Sequence, residues 1–461
     1  MTAPTFRSPE TRQAHLEAIR QAAPEHQRRL RWSRAEIEEW QTTALHRLLG
    51  HAAGRSRFYR ERLEGVDVDR VTLRELASVP PTTKHDLMER WDDVVTEPDL
   101  CRAGVESFLA GQTTFDYLGS GYQAFESGGS SGTRGVYVWD WNFFVTTANL
   151  AFRYEIRDSS SRGRVDRRLL RGVVTSGVPP HASTPLFSVD IDPPMETAVF
   201  PVSQALAATV DEMNHLQPTH LIGYSSVIGD LAAEAIDGRL EIAPLRVATN
   251  SEPLLPETRV QIERAWGVPV NNAWGSTEIG MHAAECDAGA GLHLHEDAII
   301  LERVDEAGRP TEDSAPAAKL LLTSLANHTF PFIRYELDDV VTFATRPCPC
   351  GSAFRLLGEI QGRALDAFSY GSVRVAPVVF GGALASDRRV VEYQVRQTAT
   401  GAEIDVVGEE AIDCEGIARA IEVGLAALGI SEPAVRLTQV PALRRHPVTG
   451  KLKRFVPLPP L

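Results

Sequence analysis

The densest run of small polar residues in the chain is Ser127-Gly128-Gly129-Ser130-Ser131-Gly132-Thr133-Arg134-Gly135. Glycines let a backbone approach an anion closely, and hydroxyls add donors to phosphate oxygens. Val136 follows the last glycine, so the Lys-Ser or Lys-Thr of a Walker loop is absent. Taken alone, the run reads equally well as a surface linker. A second constellation is Cys286 and His293 with Cys348 and Cys350. Three thiolates and an imidazole in two paired blocks suit a tetrahedral zinc with no open coordination position, hence a structural site. His295 competes with His293 for that role, and three reduced thiols beside a solvated histidine are the metal-free alternative. A third feature is the stretch 443–454, which holds Arg444, Arg445, Lys451, Lys453 and Arg454 without one acid. It reads either as an anion-binding segment or as a solvated tail. Gly223-Tyr224-Ser225-Ser226 departs from Gly-x-Ser-x-Gly, with no base placed by it, which argues against a serine hydrolase.

These residues need a scaffold. A chain of 461 residues with 43% hydrophobic and 23% charged residues is neither disordered nor fibrous. Its net charge of −14 excludes a general polyanion binder, so no nucleic-acid partner is expected. Five cysteines, an odd number in so long a chain, do not make a disulfide framework and point to a reducing, cytoplasmic setting. Residues 1–12 have no apolar core of a signal peptide, and no stretch approaches about 18 uninterrupted apolar residues, so no membrane association is expected. The first hundred residues read as helices. Among them 35–51 follows Ser33 as N-cap and places Ile37, Trp40, Leu45, Leu48 and Leu49 near one face. Strands at 219–223, 245–249 and 268–271 then alternate with helices at 227–235 and 256–266, and sheet follows at 298–304, 319–324 and 339–343. The pattern predicts an α/β fold, with mostly parallel sheet flanked by helices. A division at Gly362-Arg363 would separate a large N-terminal domain, 1–362, from a small, mobile α+β domain, 363–461. The latter should hold strands at 390–395 and 403–407 and a helix at 417–428.

Five segments in order resemble the adenylate-forming superfamily of acyl-CoA ligases, peptide-synthetase adenylation domains and luciferases. They are Ser130 to Gly135, Ala273-Trp274-Gly275-Ser276-Thr277-Glu278, Arg334-Tyr335 through Asp339, Gly362-Arg363, and Thr449-Gly450-Lys451-Leu452-Lys453-Arg454. Residues 48–63, Pro81-Thr82-Thr83-Lys84, Glu285-Cys286, Gly291-Leu292-His293 and Cys348-Pro349-Cys350-Gly351 are similar to the phenylacetate–CoA ligase-like branch. The resemblance implies an ATP site. Ser130, Ser131, Gly132, Thr133, Arg134 and Gly135 would cradle the β- and γ-phosphates, Thr277 would touch the α-phosphate, and Glu278 would hold Mg²⁺. Ser251-Glu252-Pro253 resembles the Gly-Glu-Pro turn beside adenine, with Asn272, Ala273, Trp274, Gly275 and Ser276 along the base. Asp339 would bind the ribose, Arg363 would sit near the phosphate or ribose edge, and Lys451 would act on the carboxylate and α-phosphate as the small domain closes. The cationic stretch around Lys451 would neutralise anionic substrate. Tyr137, Tyr224, Asn250, Trp274, Gly275 and His282 would line the acid pocket.

The chain also departs from the pattern. Val136-Tyr137-Val138 replaces the Pro and Lys or Thr that follow the loop, which removes a cation that Arg134 would have to supply. Leu365 stands at the first, hinge-like Asp position, and Glu336-Leu337-Asp338 replaces a commonly basic and polar stretch. Three readings follow. The first is adenylation of a small, aryl carboxylic acid with transfer to CoA or a carrier-protein thiol, in bacterial secondary metabolism. The second is an ATP-dependent diazotase that activates nitrite toward an aryl amine. The third is an inactive nucleotide-binding scaffold, against which the retention of Glu278, Asp339 and Lys451 argues.

Overall fold

The apolar stripe of Ile37, Leu45, Leu48 and Leu49 is buried along helix Arg34–Arg55, and Ser33 and Glu36 close its N-terminus with a reciprocal capping box. The structure is a computed structural model describing residues 6–119, 121–127, 135–161, 168–189, 195–305, 308–311, 319–337, 339–363, 368–371, 373–375, 378–385, 387, 389–390, 392–408, 411–445 and 452–458.

At its centre is a nine-stranded sheet. Its order is Asp339–Phe343, Leu356–Arg363, Leu292–Leu294, Gly280–Glu285, Val270–Ser276, Arg246–Asn250, His220–Tyr224, Leu170–Thr175, Glu196–Pro201. From Val270–Ser276 to Glu196–Pro201 every pairing is parallel. On the other side every pairing is antiparallel. The sheet is therefore mixed: the expected parallel arrangement occupies one half, and a run of antiparallel strands occupies the other.

The parallel half follows from its sequence. Helices Ser225–Ile236 and Pro256–Trp266 connect successive strands, and Pro256 and Gly267 mark the start and the left-handed stop of the second. Their inner faces place Ile228, Leu231 and Ile262, none of them exposed, against Leu221, Val247 and Val270. Each such side chain contributes about 1.5–3 kcal/mol on burial, so Ile262→Ala would weaken this layer. Tyr224 and Asn250 end neighbouring strands in register, and Thr249 faces Asn272. The carboxyl ends of the parallel strands thus lie along one edge of the sheet, and strand order reverses between Leu170–Thr175 and His220–Tyr224, the kind of crevice in which open α/β sheets bind ligands.

A second apolar core gathers Phe368, Phe380, Leu384, Tyr393, Val395, Ile404, Ile421, Leu425 and Phe455. It lies between helices Val378–Ala385 and Cys414–Ala427 and a four-stranded sheet ordered Ala434–Gln439, Gly401–Val407, Glu392–Gln397, Phe455–Val456. Among the described residues no helix is long and apolar enough to cross a membrane.

Candidate active site and candidate metal centre

Ser127 and Gly135 pair across an antiparallel hairpin made by Gln123–Ser127 and Gly135–Trp139. The intervening Ser130, Ser131, Gly132, Thr133 and Arg134 lie outside the described residues. On the second strand Tyr137 and Trp139 share a face, as the two-residue period requires. Both reach the turn between Val270–Ser276 and Gly280–Glu285. Trp139 Nε1 donates to Thr277 O at 2.9 Å, and the Tyr137 hydroxyl donates to Glu278 Oε1 at 3.0 Å. Gly275 makes this turn possible, because a Cβ there would come within 2.6 Å of Gly280 O. Tyr137 was expected as a wall of the acid pocket. Its ring is fully buried beside Phe330 and Phe332, with its hydroxyl on Glu278.

Sequence reasoning gave no role to Lys84, which the fold brings to the same place. Its ammonium donates to Ser127 Oγ at 2.8 Å and lies 3.9 Å from Glu278 Oε1. Two features fix it. Thr83 and Asp86 form a capping box around the start of Lys84–Glu89. Thr82 is laced to the Tyr335 strand, Tyr335–Leu337, its N–H donating to Arg334 O at 2.9 Å and its carbonyl accepting from Glu336 N–H at 2.8 Å. The distinctive Pro81-Thr82-Thr83-Lys84 string was the available signal. Arg334 itself is buried in an ion pair with Glu302 at 3.0 Å and serves the scaffold.

At the strand ends, Ser251 has φ 65°, the left-handed region that glycine favours, and its hydroxyl donates to Asn250 Oδ1 at 2.7 Å. Glu252 follows as a hub. Its Oε2 accepts from the Ser226 N–H and hydroxyl at 3.0 and 2.6 Å, and its Oε1 from the Leu452 N–H at 2.9 Å. Asn272 Oδ1 accepts from Thr249 Oγ1 at 3.1 Å and from the Ala273 N–H at 3.0 Å. Trp274 packs edge-on to His282 with ring centroids 4.8 Å apart. His282 Nε2 lies 3.1 Å from Ser276 Oγ, and burial lowers its pKa to about 3, so the imidazole is neutral at ordinary pH. Tyr224 is buried as well. Asp339 is paired in register with Arg363 across the outer strands.

Lys451 lies outside the described residues, as does Leu365. The cationic stretch around Lys451 was expected to neutralise an anionic substrate, but Arg445 is committed to the protein itself. Its Nη1 donates to Ser226 Oγ at 2.6 Å, and its Nη2 to Asp230 Oδ2 at 2.9 Å and Glu392 Oε1 at 3.0 Å. Three carboxylates, Asp230, Glu392 and the nearby Glu252, surround this one guanidinium.

The cysteines and histidine converge. One ligand atom from each of Cys286, His293, Cys348 and Cys350 lies within 4.8 Å of all the others. The sulfurs of Cys286 and Cys348 are 3.6 Å apart, and Cys350 Sγ is 3.4 Å from His293 Nε2. Tetrahedral zinc with bonds of about 2.0–2.3 Å requires spacings of roughly 3.5–3.8 Å, so the four residues fit the ion. The hydrogen bond from Cys286, against burial and helped by His293, lowers the pKa of Cys350, while the same contact raises that of Cys286 and burial raises that of Cys348, so without an ion the cluster holds its charge on one sulfur. His295 is excluded from the cluster. It sits 2.6 Å from Arg153 Nη2, in a buried network where Arg153 also holds both oxygens of Asp297 at 2.9 Å.

No family model matches the chain. Protein CapK of Staphylococcus aureus is 28% identical over 134 residues, which are 29% of this chain and span only 28% of CapK. Among solved structures, 2-hydroxyisobutyryl-CoA ligase in the postadenylation state, in complex with R3-HIB-AMP, superposes with a TM-score of 0.72. The match is 18% identical and covers 92% of this chain and 90% of the ligase. Its thioesterification state superposes less well, with a TM-score of 0.57. The anthranilate CoA ligase AuaEII, in complex with anthranoyl-AMP, gives 0.51 at 16% identity over 72% of this chain and 66% of that one. The fold is that of these CoA ligases.

Proposed function

We propose that the chain activates a small carboxylic acid, an aryl acid by preference, as its acyl-adenylate, and passes the acyl group to CoA or a carrier thiol. This is a phenylacetate–CoA ligase-like reading. One observation carries it. In a fold shared with ligases crystallised with acyl-AMP, the Glu278 carboxylate sits at the strand ends beside the hairpin that presents the Gly/Ser loop, with Lys84 3.9 Å away.

In the reaction a carboxylate oxygen of the acid attacks the α-phosphorus of ATP. The bond from the α-phosphorus to the bridging oxygen breaks, and pyrophosphate leaves with the electron pair. Two polyanions must be brought together, so catalysis is chiefly positioning and charge neutralisation. Lys84 supplies a cation beside the loop, where the sequence lacks the usual one. Thr277 and the 130–135 backbone donate to phosphate oxygens, Ser251, Glu252 and Asn272 to Ser276 frame the base, and Asp339 takes the ribose. Arg363, which ends strand Leu356–Arg363 of the large sheet, and Lys451, in the C-terminal region, complete the charge. Tyr224, Asn250, Trp274, Gly275 and His282 line the acid pocket, in which neutral His282 cannot serve as an acid near pH 7. Glu278 is an oxygen ligand suited to Mg²⁺, which when bound would offset phosphate charge. Cys286, His293, Cys348 and Cys350 hold a structural zinc that ties the Cys348–Cys350 turn to strands Gly280–Glu285 and Leu292–Leu294.

A pyrophosphate-exchange panel with aryl and short-chain acids tests the reading. We expect acid-dependent exchange, a CoA-dependent thioester, and loss of exchange in Glu278→Gln by on the order of a hundredfold or more. Exchange only with nitrite and an amino-aryl acid would replace this reading with a diazotase. No binding of ATP under any condition would leave a scaffold.

A further inference from the structure

Glu278 has to present one defined oxygen to a metal ion, yet a glutamate at the tip of a turn can offer either. Both groups that approach it approach the same oxygen. The Tyr137 hydroxyl is 3.0 Å and the Lys84 ammonium 3.9 Å from Oε1, and among the described residues Oε2 has no hydrogen-bond or ion-pair partner. The two contacts differ in kind. Lys84 is a point charge on a flexible stem that also donates to Ser127, and an incoming phosphate would compete for it. Tyr137 cannot shift in that way. Its ring has no exposed surface and packs against Phe330 and Phe332, with centroids 6.2 and 5.9 Å away. It lies beneath Gly135, where a Cβ would come within 2.2 Å of the hydroxyl oxygen.

We propose that Tyr137 is a positioning residue that locks Oε1 of Glu278 and so leaves Oε2 as the oxygen that would serve the metal accompanying ATP. The inference deepens the adenylation reading and rests on Glu278 as the metal-holding carboxylate. It also gives a function to a residue in the stretch where the sequence departs from the adenylate-forming pattern. In place of a cation after the glycine loop, the chain has an aromatic donor that fixes a carboxylate across the site.

The test is Tyr137→Phe, which keeps the ring and deletes the donor. Pyrophosphate exchange is titrated with Mg²⁺ at fixed ATP, and Mn²⁺ binding with a non-hydrolysable ATP analogue is measured per folded chain without turnover. Losing a hydrogen bond to a charged group should raise the half-saturating metal concentration about tenfold or more in both assays, with the KM for the acid unchanged. Metal titrations that superimpose on the parent would overturn the proposal. So would a variant in which only the KM for the acid moves, since that is the behaviour of a pocket wall. Glu278→Gln is run alongside. If it keeps the parental metal response, Glu278 does not hold the metal and the underlying reading fails. If Glu278→Gln loses the response and Tyr137→Phe keeps it, only the positioning role fails.

Discussion

Arg445 is the side chain whose removal should most clearly separate the small unit from the large one. It belongs to the C-terminal stretch and holds Glu392 of the small sheet, while its other bonds cross to Ser226 and Asp230 on helix Ser225–Ile236. Replacing it with Gln leaves Asp230, Glu392 and Glu252 facing one another without a cation. Fully exposed pairs contribute about 0.2–1 kcal/mol, and unpairing a buried one costs about 3–5 kcal/mol. Side-chain exposures of 23% for Arg445, 32% for Asp230 and 10% for Glu392 place this cluster between those limits. A loss of about 2 kcal/mol follows, or roughly thirtyfold in the docking equilibrium. The Leu452 amide, which donates to Glu252 across the same junction at 2.9 Å, is a direct reporter. Its hydrogen-exchange protection should fall about thirtyfold in Arg445→Gln, and less in Arg445→Lys, which keeps the charge but loses the fork. Protection equal to that of the parent in Arg445→Gln would refute the reasoning. Docking should also depend on pH. Burial first, and the charge of Glu392 next, raise Asp230 from 3.8 to about 7, with Arg445 opposing and Glu252 adding to the rise; Glu392 is raised too, by burial, with Arg445 and Arg454 opposing. A carboxyl whose pKa is raised in the docked state binds a proton there that the undocked state releases. Docking is therefore firmest at low pH and loosens as pH rises through about 7. Asp230→Asn should flatten that profile.

The remaining predictions are narrower. Lys84→Ala should raise the KM for ATP about tenfold, as expected for loss of a charge-assisted contact to phosphate, with little change in the KM for the acid; an unchanged KM for ATP would remove Lys84 from the site. Cys348→Ser should abolish a stoichiometric zinc, measured by elemental analysis, and lower the thermal midpoint by on the order of 5 °C. Parent protein purified without chelators and found free of zinc would end the metal assignment. Gly275→Ala forces a Cβ to within 2.6 Å of Gly280 O, so the turn carrying Thr277 and Glu278 must open. A cost of about 1–3 kcal/mol in stability and a larger proportional loss of exchange activity are expected, read by denaturant melts and pyrophosphate exchange.

Features set by local chemistry were legible in the sequence. The helix expected at 256–266 is Pro256–Trp266, because Pro at the start and Gly at the end mark its bounds and Ile262 its buried face. The cysteine and histidine spacing also pointed to residues that the fold does bring together, since a ligand set keeps its residue types wherever the chain goes. The choice between His293 and His295 was not legible. Both are fully buried, both lie near Tyr154, and only the position of Arg153, far away in sequence, decides that His295 joins an Arg–Asp network. The antiparallel half of the sheet escaped for a related reason. Strand periodicity is the same in both kinds of pairing, and the direction is set by connections rather than by side chains.

For Arg445 the charge signal misled, and its physics explains why. A count of cations along residues 443–454 predicts affinity for an anion, but a guanidinium meets whichever carboxylates the fold delivers first. Asp230, Glu252 and Glu392 come from three separate elements, and their convergence on Arg445 has no trace in the local sequence. Lys84 shows the converse. A single lysine in an N-terminal segment becomes a cation of the candidate site because Thr82 pairs with the Tyr335 strand and carries Lys84 to Glu278. Both cases follow from one rule. A side chain's charge can be read from the sequence, but the work that charge does depends on its desolvation and its nearest opposite charge, which are properties of the fold. The loss of the usual cation after the glycine loop is therefore weak grounds for doubting phosphate binding here, since the fold supplies one from more than forty residues upstream, an origin the Lys84–Ser127 separation of 43 positions makes plain.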